Sequence, residues 1–75
     1  MPSKTEYVHT LNTVVQRYRY TGEFIDSHHG PQHSGYWSSV VYINNMEYGN
    51  ATGRTRKEAR ESAAREALLV LRHYA

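Results

Sequence analysis

The sequence has no cysteine among its 75 residues, which excludes disulfide bonds, thiolate metal ligands and a cysteine nucleophile. This absence also disfavours a secreted scaffold held together by disulfides. No apolar run approaches the roughly 18 residues of a membrane-spanning helix. The first ten residues, MPSKTEYVHT, lack the apolar segment of a signal peptide. We therefore expect an intracellular protein, cytoplasmic or nuclear, that makes no membrane contact.

The sequence also has little excess charge of either sign. Nine Lys and Arg against seven Asp and Glu give a net charge of +2, which by itself does not indicate a polyanionic partner. The distribution is more informative, because four of the nine cations lie between residues 54 and 60. A chain of this length predicts one small domain over residues 1–75. Its core can hardly enclose a substrate pocket, so we expect a binding module with no enzymatic activity and no cofactor. Any catalysis would belong to another domain of a parent protein.

The first segment has the period of a helix. Residues 3–20 place apolar side chains on a single stripe. Ser3 and Glu6 have the spacing of a capping box at the start of this helix. Thr21 and Gly22 are expected to end it.

From residue 23 the period changes to two, which is typical of strands packed on one face. The Asn-Asn pair at 44–45 tolerates the positive φ of a tight hairpin turn, and Gly53 is expected to end the last strand. The predicted segments are a strand at 23–27, a loop at 28–35, and strands at 36–43 and 46–52.

A second helix follows, with Thr55 as its N-cap and Glu58 at the reciprocal position of a capping box. Alanines at i+4 spacing, beginning at Ala59, form its apolar stripe and allow close approach to the sheet. The predicted fold is therefore α+β in the order αβββα: a three-stranded antiparallel sheet with two helices packed on one face.

The charges at the start of this second helix are unusual. A helix N-terminus prefers an acidic group by about 0.3–1 kcal/mol, yet four cations crowd it: Arg54, Arg56, Lys57 and Arg60. Burying unpaired cations is costly, so we expect an exposed prong beyond the end of the sheet. Together with the free amides of the first turn it would form a phosphate site. The alternative is a solvated charged end, partly neutralised by Glu58 and Glu61.

The stretch GRTRKEARESAAREALLVL, residues 53–71, resembles the C-terminal signature of double-stranded RNA-binding domains. That signature is KKxAKxxAAxxAL after a glycine and a small capping residue. Arg56, Lys57 and Arg60 fall on its three basic positions, and the alanines fall on its apolar positions. Arginine replaces lysine at two of the three, and the two cations are not equivalent in geometry.

Two further stretches are similar to the same family, which extends the resemblance over about residues 5–73. GPQH at 30–33 resembles the family's GPxH loop, followed four residues later by Trp37 in place of a core aromatic. YVHTLNTVVQ at 7–16 is similar to the family's first helix, although Thr13 stands where Glu is common.

The resemblance implies binding of double-stranded RNA by its A-form shape, with little sequence preference. A-form RNA exposes 2′-hydroxyls in a shallow minor groove. The residues implied for major-groove phosphates are Arg54, Arg56, Lys57 and Arg60. The residues implied for the minor grooves are His9, Asn12, Thr13 and Gln16 of the first helix, and His33 of the loop.

The principal alternative is a protein-interaction or dimerisation module with weak or no RNA binding. Tyr36, Val40 and Tyr42 are predicted on the sheet face away from the helices, and seven tyrosines suit an interface. Aromatic side chains on that face could instead stack single-stranded bases.

A metal site is a further alternative. His28, His29 and His33 lie close together in sequence with Asp26 nearby. Zinc sites usually need four ligands, and no cysteine completes this set. We therefore expect no metal.

Overall fold

In the computed structural model, the described residues are 6–74. They form two helices and three strands: α1 (Tyr7–Arg17), β1 (Gly22–His29), β2 (Tyr36–Ile43), β3 (Met46–Gly53) and α2 (Arg56–Tyr74). The strands form one antiparallel sheet in the order β1-β2-β3. The predicted αβββα fold is confirmed. Neither helix is long and apolar enough to cross a membrane.

The core lies between the two helices and one face of β2. Along β2, Ser39, Val41 and Ile43 are buried, while the side chains between them are partly exposed, as expected for a strand packed on one side. Both helices contribute to the same cluster, so both lie on this face. The helix residues buried there are Leu11 and Val15 of α1 and Ala63, Ala64 and Ala67 of α2.

Helix α2 lies directly on the backbone of β3. A Cβ atom added at Gly49 would lie 2.5 Å from the Ala63 carbonyl oxygen and 2.8 Å from the Ala67 nitrogen. A Cβ added at Gly53 would lie 2.7 Å from the Ala59 nitrogen. The alanine stripe predicted the close approach. The close approach also requires the two glycines, which have no side chains to separate β3 from α2, and the sequence did not predict this role for them.

Helix α1 ends at Arg17, three residues before the predicted end. The Tyr20 N–H donates to the Val15 carbonyl (2.9 Å) and the Arg19 N–H to the Gln16 carbonyl (3.1 Å), the two bonds of a Schellman motif. Arg19 takes the left-handed conformation that this motif requires, with φ of 58°. The predicted helix end was wrong because an arginine occupies a position usually held by glycine.

The start of α1 is also capped differently from the prediction. Ser3, the first member of the predicted capping box, lies outside the described residues, and Glu6 occupies the N-cap position without a side-chain cap bond. A carboxylate of α2 caps the first turn instead: the Val8 N–H donates to Glu61 Oε1 at 3.0 Å. This contact brings the starts of the two helices together.

The strands are longer than predicted at the loop end of the sheet. His28 and His29 pair with Trp37 and Tyr36, so β1 extends to His29 and the loop contains only residues 30–35. At its other end β1 begins at Gly22, and β3 includes Gly53.

The hairpin between β2 and β3 is confirmed as a two-residue turn. Asn44 and Asn45 have φ of 52° and 68°, which matches the turn type favoured by the twist of the strands. The Asn44 side chain also accepts a hydrogen bond from the Thr21 N–H at 2.9 Å, and the Asn44 N–H donates to the Thr21 carbonyl at 2.8 Å. Thr21 therefore joins this turn and does not end α1.

Candidate nucleic-acid interface

The start of α2 is held by its predicted N-cap. The Glu58 N–H donates to Thr55 Oγ1 at 3.1 Å, as in a capping box. The reciprocal bond differs from the prediction, because Glu58 Oε2 accepts from the Arg54 N–H at 3.2 Å. The carboxylate thus orders the residue before the cap. The basic cluster, defined as Arg54, Arg56, Lys57 and Arg60, is therefore built on an ordered backbone.

Two members of the basic cluster fold over the sheet. The guanidinium carbon of Arg56 lies 4.8 Å from the centre of the Trp37 ring, and that of Arg60 lies 4.7 Å from the Phe24 ring. Asp26 Oδ2 lies 3.9 Å from Arg56 Nε and 3.3 Å from Arg60 Nε. The Arg60 side chain is 40% exposed, against 61% for Arg56. The predicted exposed prong beyond the end of the sheet is therefore wrong for Arg56 and Arg60. Both lie over the sheet, where aromatic rings and a carboxylate accommodate their charges.

The side chain of Asp26 is held in place by the hydroxyl of the buried Ser39. Ser39 Oγ donates to Asp26 Oδ1 at 2.8 Å. Ser39 is fully buried, and the Asp26 side chain is only 14% exposed. Sequence reasoning missed this role and considered Asp26 only as a carboxylate near the histidines. The pairing depends on the strand register, which sets Asp26 opposite Ser39.

Lys57 is exposed and forms no ion pair within residues 6–74. It borders a groove of about 350 Å³ that Val8 of α1 also lines. In the described part of the chain neither Glu58 nor Glu61 forms an ion pair with a cationic side chain of the cluster, and each accepts a backbone N–H instead. The neutralisation considered as the alternative explanation is therefore supplied by Asp26.

The first helix presents the predicted polar stripe to solvent. The members of this stripe are all exposed: His9, Asn12, Thr13 and Gln16. The Thr13 hydroxyl donates to the His9 carbonyl at 3.1 Å, which leaves its oxygen as an acceptor.

The GPQH loop, residues 30–35, is a compact turn. The Pro31 carbonyl accepts from the Ser34 N–H at 3.2 Å and from the Gly35 N–H at 2.7 Å. Gly30 has φ of 84°, a conformation that glycine adopts without a steric penalty. His33 is exposed within this turn.

The basic cluster lies between the start of α1 and the loop end of the sheet. The groove beside Lys57 joins it to the start of α1. Arg56 joins it to the loop end of the sheet through Trp37, which lies two residues after the GPQH loop. No contact within the described residues joins His33 directly to the polar stripe.

The histidines beside the loop pack against aromatic rings. The His28 ring meets the Trp37 ring edge-on at 5.2 Å, and the His29 ring stacks on Tyr36 at 5.0 Å. His29 Nε2 also lies 2.8 Å from Ser38 Oγ. Successive strand residues point to opposite faces, which separates the two rings. Within residues 6–74 no three His, Asp or Glu side chains are grouped for a metal ion.

The family model for the double-stranded RNA binding motif matches residues 7–71, from the first residue of α1 to near the end of α2. The chain belongs to this family. Membership supports double-stranded RNA binding in general, by a motif that is itself non-catalytic.

Two curated relatives are both named Ribonuclease 3. The chain is 36% identical over 59 residues to that of Corynebacterium efficiens and 45% identical over 42 residues to that of Halalkalibacterium halodurans. These matches cover 79% and 56% of this chain. They span only 24% and 16% of the relatives' own lengths.

Solved structures agree with the fold. The first double-stranded RNA-binding domain of HYL1 superimposes with a TM-score of 0.76 at 29% identity, covering 87% of this chain and 94% of that one. The second such domain of DRB4 has a TM-score of 0.68 at 22% identity, covering 88% and 94%. The DRB4 likeness is a likeness of fold alone.

Proposed function

We propose that the chain binds A-form RNA duplexes through three surfaces: the polar stripe, the GPQH loop and the basic cluster. The polar stripe and His33 would contact 2′-hydroxyls and base edges in two minor grooves. The basic cluster would contact the phosphates across the intervening major groove. Recognition of this kind depends on duplex shape and gives little sequence preference.

The basic cluster suits phosphate for two reasons. Its cations stand at a helix N-terminus, where the backbone dipole and first-turn amides also favour an anion. Arginine can bind phosphate with two parallel hydrogen bonds, whereas lysine acts as a point charge. Arg54, Arg56 and Lys57 are exposed and Arg60 is partly exposed, so a phosphate can approach all four.

The two minor-groove surfaces are neutral and polar. Histidine, amide and hydroxyl groups combine donors and acceptors, as ribose hydroxyls and base edges require. Thr13 has no carboxylate, so its contact would be made by an uncharged oxygen. The loop backbone holds His33 in a fixed turn, which lowers the entropy lost on binding.

One observation supports this proposal above the others: the start of α2 contacts α1 on one side and the loop end of the sheet on the other. A-form RNA presents two successive minor grooves with a major groove between them. A protein that binds all three needs a central cationic surface flanked by two neutral polar ones.

The test is titration of isotope-labelled protein with a short RNA duplex, followed through its backbone amides. We expect shifts around Asn12, His33 and Lys57. Shifts confined to the outer sheet face, around Ile25 and Tyr36, would contradict the proposal and favour a protein-interaction module. A DNA duplex of the same sequence is the control, and it should compete poorly because it lacks 2′-hydroxyls.

A further inference from the structure

We propose that Asp26 is a positioning residue of the RNA site that competes with phosphate for Arg56 and Arg60 and so limits the affinity of the basic cluster. This inference rests on the function proposed above. It concerns a residue on β1, outside the three surfaces that would touch RNA.

The contacts of Asp26 are divided between its two oxygens. Oδ2 faces the arginines, at 3.3 Å from Arg60 Nε and 3.9 Å from Arg56 Nε. Oδ1 is held by the hydroxyl of the buried Ser39. Because Ser39 anchors one oxygen and the carboxylate is 14% exposed, Asp26 cannot turn away when a phosphate approaches. A fixed negative charge therefore stays beside the two cations.

The ion pairs are close but not well aligned. Arg60 Nε is buried and has no hydrogen-bond partner in the described part of the chain, despite its 3.3 Å distance from Asp26. A guanidinium has five N–H donors, so a contact at Nε leaves others for phosphate. Asp26 therefore weakens phosphate binding without preventing it.

The aromatic rings set where the arginines rest. Arg56 and Arg60 lie over Trp37 and Phe24, and a cation is attracted to the face of such a ring. With the carboxylate neutralised, the rings still support the guanidinium groups while the competing charge is gone. Removing the charge of Asp26 should therefore strengthen RNA binding.

The experiment compares Asp26→Asn with Glu23→Gln. Both substitutions remove one negative charge from β1. Glu23 lies three residues before Asp26 on this strand, so its exposed side chain is on the other face of the sheet. We expect D26N to bind an RNA duplex about fivefold more tightly than E23Q. Its slope of log K against log salt should be steeper by about one, the value for one more neutralised phosphate.

The same comparison in an Arg56→Ala, Arg60→Ala background tests whether Asp26 acts through the arginines. The gain from D26N should then disappear. Equal binding by D26N and E23Q, weaker binding by D26N, or a gain that persists in this background would each overturn the inference. Wild-type protein that binds no RNA duplex would overturn the proposed function and this inference with it.

A measurement on the wild-type protein covers the case in which D26N does not fold. The Nε–Hε resonances of Arg56 and Arg60 report directly on the contact with Asp26. Both should shift when the protein is saturated with an RNA duplex, because phosphate binds the same guanidinium groups while the carboxylate of Asp26 stays beside them. Resonances that stay unchanged at saturation would overturn the inference.

Discussion

Lys57 differs from its two arginine neighbours in what surrounds its charge. Arg56 and Arg60 each rest on an aromatic ring and share Asp26. Lys57 stands in solvent with no ion pair among residues 6–74. The protein therefore compensates the charge of Lys57 less than the charges of Arg56 and Arg60, and Lys57 depends more on an external anion.

The double variant Lys57→Ala, Arg60→Ala tests the role of these charges. We expect RNA duplex binding to weaken by more than about tenfold, because two phosphate contacts are lost. The fold should persist, since neither side chain belongs to the buried core. Binding would be measured by fluorescence anisotropy and folding by thermal melting.

The matched control is Arg17→Ala, Arg72→Ala. It also removes two positive charges, but from the last turns of α1 and α2, away from the basic cluster. Binding by this control should stay close to that of wild type. Equal losses in the two double variants would mean that only net charge matters, which contradicts a localised phosphate site.

Single residues also show why part of the site could not be predicted. The spacing of cations in one segment is visible in the sequence, and Thr55 was correctly predicted as the N-cap. The ion pairs with Asp26 join residues 30 and 34 positions apart, and they depend on strand register and helix placement together. No local pattern signals such a contact.

At the scale of elements, α1 is ended by backbone geometry at Arg19. A side chain in the left-handed conformation is strained by about 1–2 kcal/mol relative to glycine. Arg19→Gly should therefore raise the free energy of unfolding by about 1 kcal/mol. Arg17→Gly, at the last helical residue, should instead lower it, by no more than about 0.5–1 kcal/mol. Urea denaturation measures both, and a destabilised R19G variant would contradict the Schellman assignment.

The contact between α2 and β3 permits a sharper test. A methyl group at Gly49 would overlap backbone atoms of Ala63 and Ala67, which cannot move aside as a side chain can. Gly49→Ala should lower the free energy of unfolding by about 2–3 kcal/mol, the upper range for overpacking.

The control for this variant lies on the same strand. Asn50 is exposed, so Asn50→Ala should change stability by less than about 0.5 kcal/mol. Thermal melting of the pair separates the steric effect from a general loss of strand stability. Equal stability of G49A and wild type would mean that α2 does not lie on the β3 backbone.

Elements were largely predictable because their signals are periodic. The alternation of β2, the Asn-Asn turn and the alanine stripe all predicted the observed structure. The end of α1 was not predictable, because Arg19 adopts a conformation that its residue type does not favour. The extra residues of β1 were missed because His28 and His29 look like loop residues until their partners on β2 are known.

At the scale of the whole molecule, affinity depends on how many phosphates the chain neutralises at once. The protein has a net charge of only +2, so long-range attraction is weak and local contacts must provide the salt-dependent part of binding. The basic cluster offers four cations, two of them partly compensated by Asp26. The number of effective contacts is therefore about three.

Three contacts give a quantitative expectation for salt dependence. Plotted as log K against log salt, RNA duplex binding should have a slope of about −3. Isothermal titration or anisotropy at several salt concentrations would measure it. The Lys57→Ala, Arg60→Ala variant should have a shallower slope, because fewer counterions are released. A flat dependence in the wild-type protein would contradict phosphate binding by the cluster, since a charge-driven contact with RNA must weaken as salt rises.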